Sequence, residues 1–496
     1  MKRLIPLIIL AIACLQLEAQ NWVDALRYSQ TYAGGTARST AMGGAFGALG
    51  GDFYSVSQNP AGLGVYRSSE FTFTPELYYN KTTSRYIGNE VEDYKYNFNI
   101  SNLGYVSTFN KNKDEGFIGG SIAFGFNRLN NYHSNIIIEG VNTESSLGDL
   151  YVNSANYGDG NGPVDPVDLL PFTEGLFYDG YVMDFDTVAG NYFLNEYMKN
   201  ADGSYNINQR NVLQRSGRMN EWVLAAGFNY GHFLYFGASF SITPIRFEER
   251  SNFTEFANTE FNDQFNYYEK LRVRGTGFSG KFGVIVKPIS LLRLGVAFHT
   301  PVAYSINEVY EANLTSSFVS DIQYPQDGYG NLIYDVEYDY RIVTPYKLIG
   351  SAGVTLGKFA IISTDLEFID YSSMRLRKGG DGYDFYEENQ GVEAIYRSAF
   401  NIKTGAEFRI NNLYLRGGFG YYGSPYKESE INFDAHQYNY SAGIGFRDEN
   451  FIVGFAWSYK IYDERYILYQ MDGSRPYTSN LNSKTSRFLL TLGFRF

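Results

Sequence analysis

Four histidines, His133, His232, His299 and His436, are the first residues to test for chemistry. They are scattered, without the short spacing that brings two imidazoles to one metal ion. No metal site, and no haem site, is expected from them. No serine, histidine and aspartate stand out as a nucleophilic triad, so no catalytic residue is assigned. The glycine-rich run Gly43–Gly51 has no buried strand before it and no Lys-Ser/Thr pair after it, which argues against a phosphate loop. Asp159-Gly160-Asn161 begins like a calcium loop, but Pro163 occupies the next ligand position. The single cysteine, Cys14, lies in the apolar run at the start of the chain. Ala11-Ile12-Ala13-Cys14 departs from a lipoprotein box, which usually has Leu three residues before the cysteine. With Cys14 removed alongside that run, no disulfide and no thiol chemistry remain. The sequence therefore calls for no cofactor and for no enzyme.

What remains is a set of charges whose meaning depends on the strands that carry them. In Phe451–Tyr459 the residues Phe451, Val453, Phe455, Trp457 and Tyr459 share one face; Ile452, Gly454, Ala456 and Ser458 share the other. In Phe400–Arg409, Phe400, Ile402, Thr404, Ala406 and Phe408 oppose Asn401, Lys403, Gly405, Glu407 and Arg409. Ile118–Phe126 alternates in the same way, and so does the last strand, which ends on Phe496. This is period 2, one bulky apolar face against one small or polar face. Alternation then puts Arg293, His299, Asp365, Glu367, Lys403, Glu407 and Arg416 on the polar face.

Strands are expected near 68–79, 96–109, 116–130, 219–230, 233–249, 270–287, 291–308, 342–356, 359–372, 398–409, 413–423, 435–446, 451–462 and 485–496. Long and short connections alternate between them. The short ones are Asn110–Glu115, Gly231-His232, Pro288–Ser290, Gly357-Lys358, Ile410–Asn412 and Arg447–Asn450. The longest loop covers 131–218, with a turn-rich stretch at Tyr157–Pro163 and short helices expected at Asp168–Tyr178 and Asn191–Met198. Short turns on one side and long loops on the other are the pattern of an outer-membrane barrel. The expected fold is all-β: a single 14-stranded antiparallel transmembrane β-barrel over 68–496.

Composition agrees. The 496 residues include 45 Tyr, 39 Phe and 52 Gly, yet mean hydropathy is only −0.29. Barrel strands alternate lipid-facing and lumen-facing residues, so the average hides the apolar face. A formal net charge of −12 argues against nucleic-acid binding, which needs a basic footprint. Lys2 and Arg3, the apolar run Leu4–Leu17 and the small residue Ala19 read as a signal peptide over 1–19.

Between signal peptide and strands lies a stretch that fits neither. Residues 36–64 are dominated by small side chains and glycine, and such a segment cannot bury enough apolar surface to fold alone. It suits a confined space, where glycine lets backbones approach closely. Its end reads as a short helical turn: Asn59 caps, Pro60 takes the first helical position, and Gly62 or Gly64 ends it. The segment 20–67 is expected to plug the barrel from within.

Ala41-Met42-Gly43-Gly44-Ala45, a short Gly/Asp interval, and Asn59-Pro60-Ala61-Gly62-Leu63 resemble the N-terminal hatch of the FadL/TodX family. Fainter echoes occur at Asp370–Ser373 and at Leu413–Pro425. The resemblance implies a 14-stranded barrel closed by a hatch. It also implies passive outer-membrane transport of hydrophobic compounds, most often long-chain fatty acids. Met42, Gly43, Gly44, Asn59, Pro60, Ala61 and Gly62 would then be hatch residues. Arg293, Lys403 and Arg416 are candidate contacts for a ligand carboxylate through charge-assisted hydrogen bonds, against mutual pairing of lumenal charges. The expected partners are a hydrophobic small molecule and outer-membrane lipid. Pro75 and Pro244 interrupt their strands as a bulge or kink. Members of this family are thought to release ligand sideways through a gap at a kinked strand, and Pro244 or the Gly119-Gly120 pair are the candidates for such a gap. Other readings are a barrel that partners a secreted or periplasmic protein, with the hatch only a seal, a haem or nutrient receptor, and an outer-membrane esterase.

Overall fold

A computed structural model describes residues 22–496, except 112, 114, 158–161, 188–191, 196–198, 201, 258–262, 328–329, 380–381 and 472–474. The stretch 1–19 read as a signal peptide and parts of the 131–218 loop therefore lie outside the described residues.

Fourteen antiparallel strands close into a ring. They are β1 (Glu70–Tyr86), β2 (Asn89–Asn110), β3 (Phe117–Asn131), β4 (Ile207–Tyr230), β5 (Leu234–Ala257) and β6 (Gln264–Val286). Strand β7 runs over Leu292–His299 and Ala303–Ser316, and β8 over Val336–Val343 and Lys347–Leu356. The ring continues with β9 (Ala360–Asp370), β10 (Ser398–Ile410), β11 (Leu413–Tyr422), β12 (Gln437–Arg447), β13 (Phe451–Tyr469) and β14 (Tyr477–Arg495). The pairing of β1 with β14, from Glu70↔Arg495 to Arg85↔Asn480, shuts it. Closure removes the free sheet edges that could not cross a bilayer, although the ladder between β2 and β3 stops part-way, at Asn102↔Asn127. No described helix is long and apolar enough to cross one.

Strand order and connection pattern follow the sequence expectation, but the strands are far longer. Residues 80–95, read as a loop, continue β1 and β2 to a two-residue turn at Ile87-Gly88, where both residues have positive φ. Similarly β4, β5 and β6 run for 23 or 24 residues, absorbing most of the loop expected at 250–269. A membrane needs about 9–11 residues per strand. The excess rises beyond the bilayer on the long-connection side. There the outward residues are polar: Lys81, Thr83 and Arg85 follow Leu77 and Tyr79 on β1. Hydropathy sees no apolar face in such a stretch and reads it as a loop. The expected helix at Asn191–Met198 is another correction. Its described part, Tyr192–Leu194, is a short strand paired with Asp184–Asp186. A helix that the sequence reading did not assign spans Leu147–Tyr157.

Alternation places the side chains as read. Phe400 and Phe408 face outward with about half their surface exposed, while Lys403 is 3% exposed and faces in. Inside, residues 33–50 are almost uniformly buried. They carry a helix at Ala37–Ala41, capped by the Thr36 hydroxyl accepting from Ser39 N. A second short helix spans Ser55–Gln58, and a 3-10 turn spans Pro60–Val65. The barrel wall makes room by presenting glycine. A β-carbon at Gly283 would overlap the amide oxygen of Asn59, at Gly237 the Pro60 carbonyl, and at Gly405 the Met42 carbonyl. The high glycine content is thus partly a fit between wall and contents.

Candidate functional site

The lumen is organised by the N-terminal segment. Asn59 is fully buried. Its Oδ1 accepts from Ala61 N at 3.1 Å, capping the turn, and Pro60 takes the first position as read. The turn then runs through both Gly62 and Gly64 to Val65 rather than stopping at either. Asn59 Nδ2 donates to Gly47 O at 2.7 Å and reaches Val284 O and Val296 O on the wall at 3.3 and 3.4 Å. One amide therefore ties the turn, the preceding loop and two strands together. Gly43 and Gly44 take φ of +63° and +80°, a left-handed pair that L side chains resist, just after Met42 ends the first helix. Gly43 N donates to Ser441 Oγ at 3.2 Å.

The charged residues read from alternation do face the lumen, and they are occupied. Glu407 accepts from Arg38 of the N-terminal segment at 2.9 Å and from Arg416 at 2.7 Å. Lys403 pairs with Glu367 at 3.2 Å. Arg293 donates to Leu49 O at 2.7 Å. Asp365 accepts from Gly47 N at 3.0 Å and from Gln58 at 3.2 Å, and His299 bonds Gln58 O at 2.9 Å. These groups hold the segment in place. Arg293, however, has no ion pair among the described residues and its Nε is without a hydrogen-bond partner. Two cations that the sequence reading left aside share that condition. Arg128 is 8% exposed, its Nε has no hydrogen-bond partner, and it forms no ion pair among the described residues. Lys460 lies 4.0 Å over the Tyr32 ring, likewise without an ion pair among the described residues. Both line a cavity of about 40 Å³ with Arg487, Glu76, Tyr78 and Asn131. A second cavity, of about 60 Å³, lies beside Gln58, His299 and Lys347. Each has room for a few waters and not for an acyl chain.

The wall beside the first cavity is incomplete. The β2–β3 ladder runs from Asn110↔Gly119 to Asn102↔Asn127 and ends there. Beyond it β3 breaks at Tyr132-His133 and resumes over Ser134–Asn142, paired only with β4. Residues 89–101 of β2 pair with β1 alone. The open stretch lies partly within the apolar belt, because Phe98 and Ile100 face outward there. Tyr79, Tyr94 and Tyr96 cluster just above, with ring centroids 4.7–6.2 Å apart, as at a membrane interface. Neither sequence candidate is this gap. The β3–β4 ladder passes through Gly119-Gly120. At Pro244 the β5–β6 pairing is continuous; Pro244 and Thr243 are skipped only in the ladder to β4. Pro75 marks a bulge against β2. Asparagine spacing carried the missed signal: Asn97 and Asn99 on β2, then Asn127, Asn130, Asn131 and Asn135, place amides where a ladder is absent.

The helix over 22–29 lies at the far end, packed into the core under the external loops with Tyr396, whose hydroxyl donates to Trp22 O at 3.1 Å. Tyr340 Oη lies 3.2 Å from Asp24 Oδ2 and 3.0 Å from Glu308 Oε2. One hydroxyl hydrogen cannot serve two carboxylates, so the pair shares a proton. Burial and the neighbouring Asp24 charge push Glu308 up to about 8. The folded form thus holds its proton more tightly than the unfolded chain, whose carboxyl has the usual lower value. This stabilisation is complete below that ordinary value and is lost as pH rises to about 8. Protection of residues 22–29 against hydrogen exchange, corrected for the intrinsic pH dependence of amide exchange, should fall as pH rises from about 5 to about 8; a flat corrected profile would contradict the shared proton.

No family model and no curated protein matches the chain. Solved structures do. A FadL homologue from Pseudomonas aeruginosa is similar over 94% of this chain and 100% of its own, with a TM-score of 0.57 and 12% identity. The Pseudomonas putida toluene transporter TodX is similar over 94% and 100%, with a TM-score of 0.52 and 12% identity. The Ralstonia pickettii toluene transporter TbuX is similar over 93% and 98%, with a TM-score of 0.50 and 14% identity. At such identities the likeness shows the fold alone: this chain has the FadL-like barrel fold.

Proposed function

We propose that the protein passes a hydrophobic small molecule with an anionic head, most simply a long-chain fatty acid, across the outer membrane without catalysis. The N-terminal segment is its hatch. The observation that carries this reading is the cavity of Arg128, Lys460 and Arg487 directly behind the incomplete wall. Two cations without a carboxylate partner suit an acidic head group. The adjoining gap lets the tail stay in lipid, sparing about 0.8 kcal/mol per methylene that would otherwise meet water. The TodX and TbuX structures belong to toluene transporters and the first to a FadL homologue, so hydrophobic cargo agrees with all three. The small cavities require the hatch to shift before cargo moves. Mass spectrometry of small molecules extracted from protein purified in mild detergent tests the reading. A fatty acid at near-stoichiometric amount is expected. A neutral hydrocarbon would remove the role of Arg128 and Lys460, and an empty folded barrel would move weight to a protein partner.

A further inference from the structure

The outward face of β4, β5 and β6 changes character within one step of the ladder pattern. Trp222, Ile242 and Phe278 are exposed side by side, in the register Trp222↔Ile242↔Phe278, and belong to the apolar belt. Four residues further toward the long connections, each strand presents an exposed arginine instead. These are also directly opposed, Arg218↔Arg246↔Arg274. Four residues of strand span about 13 Å. On a tilted strand that lifts the guanidinium groups from the edge of the hydrocarbon into the head-group layer.

The row has no counterion in the chain. Neighbouring external arginines do: Arg210 pairs with Glu139 at 3.3 Å, Arg250 with Glu248 at 2.6 Å and Arg272 with Asp335 at 3.5 Å. Arg218, Arg246 and Arg274 form no ion pair and no hydrogen bond among the described residues. The one carboxylate next to them on that face, Glu248, already serves Arg250. Past Arg274 the row meets Asn307, which donates to Asp339 at 2.9 Å and keeps it occupied. Like charges directly opposite on adjacent strands destabilise a sheet. Three in a row call for an anion from outside the chain.

We propose that Arg218, Arg246 and Arg274 form an external site for a phosphorylated glycolipid of the outer leaflet. Its phosphate bridges the guanidinium groups, and its acyl chains lie against Trp222, Ile242 and Phe278. The planar fork of arginine matches phosphate oxygens two at a time. A soluble anion would satisfy the upper row alone, whereas one amphiphile satisfies both rows. The site lies on the outer wall, so the lipid is a fixed part of the surrounding membrane and not cargo, and the inference does not depend on what crosses the lumen. A lipid held there straps three strands together at the level where they leave the bilayer.

The test uses the full chain purified in dodecyl maltoside, with lipid A bearing both phosphates as probe and native mass spectrometry as readout. The parent should retain the lipid. Arg246→Gln and Arg274→Gln should each weaken binding about tenfold, the size of one charge-assisted contact, and Arg85→Gln, whose arginine pairs with Glu90 on another face, should leave it unchanged. Thermal unfolding checks the same point without relying on adducts. In detergent alone Arg246→Gln should melt no lower than the parent, because it removes a like-charge contact. Added lipid A should raise the parent's midpoint more than the variant's. Equal binding by the parent and both variants would place the lipid elsewhere and overturn the site. Equal binding of dephosphorylated lipid A would remove the role of the phosphate. If millimolar inorganic phosphate gives the parent the same thermal gain, the row is a site for a free anion and the lipid assignment falls. If polyglutamate binds the row and lipid A does not, the occupant is an acidic protein and the assignment falls likewise.

Discussion

Valine at position 283 should drive the hatch turn out of its seat and open the barrel to ions. Gly283 faces the lumen on β6, and even a methyl group there would overlap the Asn59 amide oxygen. Neither side can give way cheaply. Asn59 is held by Ala61 N, Gly47 O and the carbonyls of β6 and β7, and Pro60 is seated against Gly237 on the neighbouring β5. Overpacking a filled interior commonly costs about 1–3 kcal/mol. Displacing Asn59 would add about 1–3 kcal/mol for carbonyls left buried and unpaired. The barrel ladders do not depend on that turn, so the wall should persist. Single-channel recording should find frequent open events for Gly283→Val and near silence for the parent. A silent variant with normal strand content would show that the turn does not gate the lumen.

The second large effect should come from Glu407→Ala. That carboxylate is buried between Arg38 of the hatch and Arg416 of the wall. Its removal strands two guanidinium groups together, and breaking a buried pair from one side typically costs about 3–5 kcal/mol. Arg38 keeps its bond to Gly51 O at 3.1 Å but loses its anchor to β10. Urea unfolding followed by tryptophan fluorescence should show the loss. The double variant Glu407→Ala with Arg416→Leu should recover part of it, because one uncompensated charge is gone. Equal stability of Glu407→Ala and the parent would mean that water already reaches and screens the site.

The two variants probe what the sequence showed best. Period-2 alternation with a fixed bulky face is imposed by lipid outside and hatch inside, so it survives in strands such as Phe400–Arg409. The Asn59-Pro60 turn was legible because capping and the proline position are local rules. Strand length was not legible, since above the membrane the pattern reverses: Phe247 and Phe253 of β5 and Phe265, Leu271 and Val273 of β6 turn into the apolar core while the outward faces become polar, so no single apolar face runs the whole strand. The seam was hidden for a different reason. Whether residues 89–101 of β2 find a second partner depends on where β3 breaks, a relation between segments that are dozens of residues apart. Equally, residue type alone could not separate Lys403, which has Glu367 opposite it, from Lys460, which has an aromatic ring.

One feature of the architecture bears on how the molecule is made. The N-terminal segment precedes β1 directly, and β1 closes the ring against β14. With residues 33–50 packed against the wall on all sides and the helix over 22–29 lodged beneath the external loops, no path remains for threading them into a finished cylinder. The newest strand must therefore close around a leader already laid in place. The residues made first are thus enclosed by a pairing that needs the residues made last. A bulky insertion between Ala33 and Gly50 would need to share that interior, whereas additions at external turns such as Ile87-Gly88 would not.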